Sequence, residues 1–317
     1  MLNKILILTH WDTDGIVSAA LLAKNLNCKT EFLIPEISHY FLTDKEIKKI
    51  KKAKFSEIYL TDMALDQKSR EKLKPAAKKI TILDHHYTGK TRSITCINPI
   101  LEGKSALKYP CACQVVAEFV GEKEELLPVI GAIGDKEEEI LKNKYFAKKI
   151  KNVEKKNKLS FNKLNKIKLL LDSNYMVNNK KGVIAAIKIT QKNVQDILKN
   201  KKMIQQRKKI DNELKKLLKS QPALRKGKIV YFNISSNYKI LSSITRELAK
   251  KYPDNLVVVR QKSNIYIRRK NLPVSLKPAI EFANRKGHIA GGKDEVCGII
   301  LKKPDKKFLQ QLFEVLT

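Results

Sequence analysis

The pattern of apolar and polar positions changes character part-way along the chain. Up to about residue 110, short apolar runs alternate with amphipathic stretches. Residues 4–10 contain the run Ile5-Leu6-Ile7-Leu8 and predict a buried strand. Gly15 then opens a helix over 16–25, and further strands are predicted at 30–34, 56–61 and 79–83. Helices fill the gaps, one capped by Thr43-Asp44 and running through 54, another over 66–73. Strands that alternate with helices at this spacing predict a parallel, doubly wound sheet, in which ligands collect beyond the carboxyl ends of the strands. From Pro110 the period becomes helical, over 115–120, 124–133, 141–171 and 191–218. Residues 222–227 read as a hinge. A smaller α/β unit with a mixed sheet follows: a strand at 228–233, a helix at 238–250, a hairpin of 254–260 with 264–269, a helix at 276–284, a strand at 295–301 and a helix at 306–316. There is no internal repeat.

Composition also divides the chain, about 30 residues further on. The 317 residues are 43% hydrophobic and carry a formal net charge of +33. Residues 1–140 hold 21 Lys and Arg against 20 Asp and Glu, whereas residues 141–317 hold 44 against 12. A compositional bias of the genome would load both parts. The asymmetry predicts a charge-neutral catalytic part over 1–140 joined to a basic, nucleic-acid-facing part, in which 141–222 reads as a helical connector and 223–317 as a smaller α/β domain. The basic part faces a polyanion such as single-stranded DNA or RNA. Five cysteines form an odd, scattered set and not a disulfide framework. The N-terminus lacks the pattern of a secretory leader, and no apolar run nears the roughly 20 residues of a membrane span. The expectation is a soluble, cytoplasmic protein.

Histidine is rare, and its placement is informative. His10 ends the first predicted strand in His10-Trp11-Asp12-Thr13-Asp14-Gly15, and His85 and His86 end another in Asp84-His85-His86. Asp62 closes the strand at 56–61, and Asp135 follows the helix at 124–133. All should gather on one rim of one sheet. An aspartate at a strand end is often only a helix cap, but so many acids packed together repel one another and need a positive partner. Carboxylates with imidazoles suit manganese, with magnesium, zinc or cobalt as alternatives. This many acids could bridge two ions about 3.5–4 Å apart, the arrangement used to activate water against phosphorus. His39 has no acidic cluster beside it and is assigned no role.

These motifs resemble those of the DHH phosphoesterases. His10–Ala19 is similar to the first motif of that family, Asp62 to the second, Asp84-His85-His86 to the third and Asp135 to the fourth; Tyr109-Pro110-Cys111 resembles the stretch before the fourth. Residues 286–292, Lys-Gly-His-Ile-Ala-Gly-Gly, resemble the signature of the DHH-associated domain, with departures at Lys286, Gly291 and Gly292. Ile267-Arg268-Arg269 resembles its arginine-bearing strand. The compact form with a basic middle looks most like the archaeal RecJ-like exonucleases.

The resemblance implies two divalent cations, manganese first, with magnesium or cobalt as alternatives. It puts Asp12 and Asp62 on one ion and Asp14, Asp62, His85 and Asp135 on the other, with Asp62 bridging and His10 as a further ligand. Asp84 would fix a histidine tautomer, and His86 would contact the phosphate or assist the leaving group. Gly287, His288, Arg268 and Arg269 would bind substrate, with strand alternation favouring Arg268. The expected activity is a metal-dependent exonuclease on single-stranded DNA or RNA, serving DNA replication or repair. Two other classes are weighed against it. One is a phosphatase of nanoRNA or phosphoadenosine phosphate, for which the basic half would be superfluous. The other is a catalytically weak replisome scaffold that binds single strands and replication proteins, which would have no chemical need for the full acid set.

Overall fold

The computed structural model describes residues 4–316 apart from 27, 40, 64, 87–91, 93, 304 and 305. The chain divides into two compact units, Met1–Arg207 and Lys208–Thr317. Among the described residues no helix is long and apolar enough to cross a membrane.

The first unit is built on five parallel strands: β1 (Ile5–Thr9), β2 (Thr30–Leu33), β3 (Glu57–Thr61), β4 (Lys79–Leu83) and β5 (Thr95–Ile97), in spatial order β2-β1-β3-β4-β5. Each central strand is apolar on both faces because helices cover both. In β1, Ile5 and Ile7 enter the core beneath α1 (Thr13–Asn25), while Leu6 and Leu8 enter a second core with α2 (Asp44–Ala53) and α3 (Gln67–Leu73). Each fully buried Leu or Ile contributes about 1.5–3 kcal/mol relative to exposure. The predicted cap of α2 is a reciprocal capping box: Glu46 N–H donates to Thr43 Oγ1 at 3.3 Å and Thr43 N–H donates to Glu46 Oε2 at 2.8 Å.

The order reverses between β1 and β3. The chain leaves β1 through α1 on one face and β3 through α3 on the other, which opens a crevice beyond the two carboxyl ends. Helices α4 (Ala112–Val120), α5 (Leu126–Lys136), α6 (Lys144–Asn157), α7 (Phe161–Met176) and α8 (Lys180–Asn193) complete this unit. α9 (Lys201–Leu218) runs from it into the second.

The second unit holds a mixed six-stranded sheet, β10-β11-β9-β8-β7-β6. Its strands are β6 (Leu224–Lys226), β7 (Ile229–Asn233), β8 (Leu256–Gln261), β9 (Asn264–Arg268), β10 (Ile289–Lys293) and β11 (Val296–Ile300). β7 and β8 are parallel around α10 (Leu241–Lys251), and the other pairs are antiparallel. α11 (Lys277–Arg285) and α12 (Lys306–Leu316) complete the unit and share its core with Ile265, Ile267 and Cys297.

The structure departs from the sequence reading in several elements. β5 and β10 were not expected, and β6 occupies the predicted hinge and pairs with β7. The long helix over 141–171 is two: Lys158 turns left-handed (φ 53°) and Ser160 caps α7 through Lys163 N. Residues 191–218 are broken by a 3-10 turn at Val194–Lys199.

Candidate active site

Four threads end in the crevice, and short hydrogen bonds lock them together. The Thr61 hydroxyl donates to Thr9 Oγ1 at 2.8 Å, and the Thr9 hydroxyl donates to the Gly15 carbonyl at 2.8 Å. Strands β1 and β3 are thereby stitched to the first turn of α1. Asp12 caps that helix, its Oδ1 accepting from Gly15 N at 3.2 Å. Gly15 is needed for close approach and not for a sharp turn: a Cβ there would lie 2.5 Å from the His10 carbonyl oxygen. Asp62 follows β3 in the left-handed region (φ 54°), a conformation that aspartate tolerates better than most residues and that collects at functional sites.

The aspartates and histidines of the four motifs converge here. His10 Nδ1 lies 2.9 Å from Asp12 Oδ2 and 3.8 Å from Asp62 Oδ2. His85 Nε2 lies 3.2 Å from Asp135 Oδ2 and 3.7 Å from Asp62 Oδ1. His10, Asp12 and Asp62 form one group able to hold an ion, and Asp14, His85 and Asp135 form another. Asp62, Asp84, His85 and His86 form a third, so Asp62 belongs to two groups and faces the His85 of the remaining one. Asp135 lies in the last turn of α5, one turn further along the helix than its sequence period indicated.

Asp14 is fully buried against the N-terminus of α4, accepting from Ala112 N at 2.6 Å and Cys113 N at 3.0 Å. The stretch Tyr109-Pro110-Cys111 therefore aims a helix end at this carboxylate. Asp84 Oδ1 accepts from His85 N at 2.8 Å and lies 2.7 Å from His86 Nδ1. Asn98, after β5, donates to the His86 carbonyl at 2.7 Å and accepts from Ile100 N at 3.1 Å, pinning the loop that carries both histidines.

The electrostatics of this pocket fit a divalent cation. Burial, and then the charge of Asp135, push Asp14 up to about 7. Burial, Asp14 and Asp12 raise Asp62 well above the ordinary carboxylate range. Burial opposes the charge of Asp12, Asp84 and Asp135 too, but neighbouring histidines (His10, His86 and His85 respectively) outweigh it and hold them low. The protein's own groups thus leave two of the five acids short of positive charge, and mixed carboxylate and imidazole donors suit manganese or magnesium. His86 is different. Burial works against its charge, yet Asp84 raises it to about 9, and its ring is partly open to solvent.

The predicted substrate residues lie in the second unit. Gly287 takes φ 80° between α11 and β10. His288 packs edge-on against Phe308 and accepts from Lys302 N through Nδ1 at 3.4 Å, which leaves Nε2 as the donor nitrogen. Arg268 is the last residue of β9, and Arg269 lies just past the strand. Arg269 donates to the carbonyls of Asp294 (3.2 Å) and Leu272 (2.6 Å) and so ties loops together, while Arg268 ends β9 opposite Val257 and Val296.

Sequence reasoning missed Asn98, Lys168 and Asp172. The last two form a buried pair on α7 that reaches the Asp12–Asp14 turn. Their signal was a Lys and an Asp four residues apart on the apolar stripe of Leu164, Ile167 and Leu171.

Residues 4–146 match the DHH family, N-terminal domain. No curated protein sequence matches the chain. Among solved structures, the DHH domain of a member of a ribosomal-protein family has a TM-score of 0.76 at 16% identity, over 99% of this chain and 86% of that one. RecJ from Thermus thermophilus in complex with Mn²⁺ has 0.72 at 15%, over 99% and 51%, so this chain spans about half its length. A manganese-bound exonuclease RecJ has 0.67 at 14%, over 99% and 89%. The switch-point sheet, the motifs at its strand ends and these matches agree: residues 4–146 are similar to the N-terminal domain of the DHH family, and the chain shares its fold with the RecJ structures.

Proposed function

We propose that this protein is a phosphoesterase, a divalent-cation-dependent exonuclease on single-stranded DNA or RNA, acting in DNA replication or repair. The observation that carries the reading is the pair of adjoining donor groups, His10/Asp12/Asp62 and Asp14/His85/Asp135, brought together at the switch point with Asp62 reaching His85. In this reading Asp12 and Asp62, with His10, hold one cation; Asp14, Asp62, His85 and Asp135 hold the other. Manganese is the first choice, with magnesium or cobalt as alternatives. Cations so held would polarise the phosphate and make water a competent nucleophile near neutral pH.

The chain's own groups do the rest. His86, kept protonated by Asp84, presents a charged donor to the phosphate and can give its proton to the leaving oxygen. Asp84 keeps that ring in one orientation and does not itself reach substrate. In the second unit, which resembles a DHH-associated domain, His288 Nε2, the open backbone at Gly287 and the guanidinium of Arg268 grip a phosphate. Arg269 supports them from behind through its loop carbonyls. The charge excess of residues 141–317 supports a polymeric substrate, because a small one needs no such field.

The test is degradation of end-labelled single strands, DNA and RNA, each end blocked in turn, with Mn²⁺ or with EDTA. Mn²⁺-dependent release of mononucleotides from one end, absent in Asp62→Ala, is the expected result. Hydrolysis confined to dinucleotides would move the reading to a small-substrate phosphatase, and binding without hydrolysis to a scaffold.

A further inference from the structure

Behind the turn that carries Asp12 and Asp14 lies a buried group of charges supplied by α7, outside the family-matched residues 4–146. Asp172 Oδ1 accepts from Thr13 N at 3.0 Å and lies 2.7 Å from Thr13 Oγ1. Thr13 sits between the two acids, and its amide belongs to the first turn of α1, whose donors have no partner within the helix. Asp12 serves the Gly15 amide of that turn, and Asp172 serves the Thr13 amide from another helix. The other Asp172 oxygen lies 3.1 Å from Lys168 Nζ, and Lys168 Nζ donates to Glu137 Oε1 at 2.9 Å. Glu137 is two residues past Asp135, at φ 50° and ψ −133°, where the chain leaves α5 in a strained conformation. Among the described residues Lys168 is the only buried lysine, in a chain with 65 Lys and Arg. The two connected segments also touch directly: a Cβ on Gly134 would lie 3.1 Å from Thr13 Cβ.

We propose that Asp172 and Lys168 are positioning residues of the acid cluster: from α7 they clamp the Asp12–Asp14 turn to the end of α5 that bears Asp135, and so fix the spacing of the cation ligands. The inference rests on the cluster being a cation site. A buried charge pair serving stability alone needs no particular partner, and replacing it with apolar side chains often costs nothing. Here both ends of the pair are attached beside ligand-bearing residues. The Thr13 bonds arrive through a backbone amide, so a shift of Asp172 moves the main chain on which Asp12 and Asp14 are mounted. Groups that orient ligands from behind typically alter metal affinity ten- to a hundredfold when removed.

The experiment is calorimetric titration of Mn²⁺ into the full chain, with melting in EDTA as a separate readout of stability. The set is wild type, Asp62→Ala, Asp172→Ala and Asp172→Asn. Asp172→Ala should bind Mn²⁺ roughly tenfold or more weakly. Asp172→Asn keeps an oxygen for the Thr13 amide and should recover part of that loss. Wild-type Mn²⁺ binding that is lost in Asp62→Ala but stays within about twofold in both Asp172 variants overturns the clamp alone, even if melting falls. A wild type that binds no Mn²⁺, or an Asp62→Ala that binds it normally, overturns the cation-site reading and the clamp with it. Should Asp172→Ala not fold, Asp172→Asn and the partly exposed Glu137→Gln decide: weakened Mn²⁺ binding in both supports the clamp, and unchanged binding in both overturns it.

Discussion

Asp62 and His288 each stand just outside a strand, yet their surroundings have little in common. Asp62 is buried, held at φ 54°, and anchored through its own amide to the Leu83 carbonyl at 3.1 Å. Its carboxylate oxygens lie within 4 Å of nitrogens of His10, His85 and His86. His288 is half-exposed; its amide donates to the Ala283 carbonyl at 3.0 Å, while its ring meets Phe308 edge-on and accepts one long hydrogen bond. The first setting spends stability to crowd like charges, so every neighbour must stay in place. The second, in the proposed reading, would meet an anion in the presence of water, so its exposed residues could drift in identity without unfolding anything. Of the two glycines that depart from the 286–292 signature, one is free to vary in this way and the other is not. Gly291 faces open space, where alanine would fit as well, whereas a Cβ on Gly292 would lie 2.0 Å from the Val296 carbonyl oxygen.

The largest expected effect breaks the comparison on the buried side. Asp62→Ala should lower the Mn²⁺-dependent rate by about a thousandfold, the loss of several kcal/mol of transition-state charge stabilisation. In EDTA its melting temperature should hold or rise, because one anion leaves a crowded site. A variant that keeps most of its Mn²⁺-dependent rate removes Asp62 from the shared position.

On the half-exposed side, His288→Ala should lower kcat/KM by roughly ten- to a hundredfold, one charge-assisted hydrogen bond of about 1.5–3 kcal/mol. Mn²⁺ affinity should not change. The loss should be greater on a dinucleotide than on a long strand, which many other lysines also hold. Equal losses on both substrates would place His288 at the chemical step.

A pair of glycine substitutions sharpens the contrast through stability. Gly15→Ala forces a methyl against the His10 backbone and should cost about 1–3 kcal/mol in urea unfolding. Gly291→Ala should leave stability unchanged to within about 0.5 kcal/mol, as surface changes usually do. Equal costs at the two sites would contradict the difference in packing.

The smallest effect concerns the basic surface. Lys208 and Lys215 are exposed on α9. Each phosphate that the helix no longer neutralises should reduce the slope of log affinity against log salt by about 0.7 for a single strand. Lys208→Gln and Lys215→Gln are checked by titrating a labelled oligonucleotide at several salt concentrations. An unchanged slope in the double variant would take α9 out of the binding surface.

Much of the first unit was legible because its strands are buried on both faces and its acids stand at their ends. β1, β3 and β4 read as apolar runs, and the residue after each run joins the cluster that could hold a cation: His10, Asp62 and Asp84. What failed to show has physical causes. β5 is a three-residue edge strand, too short for any period. β10 is Ile-Ala-Gly-Gly-Lys, whose glycines look like a loop until β11 pairs with them. The division of 141–171 into α6 and α7 was hidden because lysines on every exposed face blurred the period, although Ser160 marked the cap. Asp172 and Lys168 escaped for a related reason: their partners Thr13 and Glu137 are far off in sequence, and only packing brings them together.

The self-repelling acid cluster also bears on how long the protein survives. Burial and mutual repulsion lift Asp14 and Asp62 away from their ordinary ionisation, so the folded chain carries an internal cost that a bound cation would relieve. A ligand held only by the folded state adds about 2.7 kcal/mol of stability at a hundredfold excess over its dissociation constant. For a site of this kind the free manganese or magnesium in its surroundings becomes a folding variable. The fraction of time the chain spends open to proteases would then fall as cation supply rises, linking the abundance of the protein to the metal it would use.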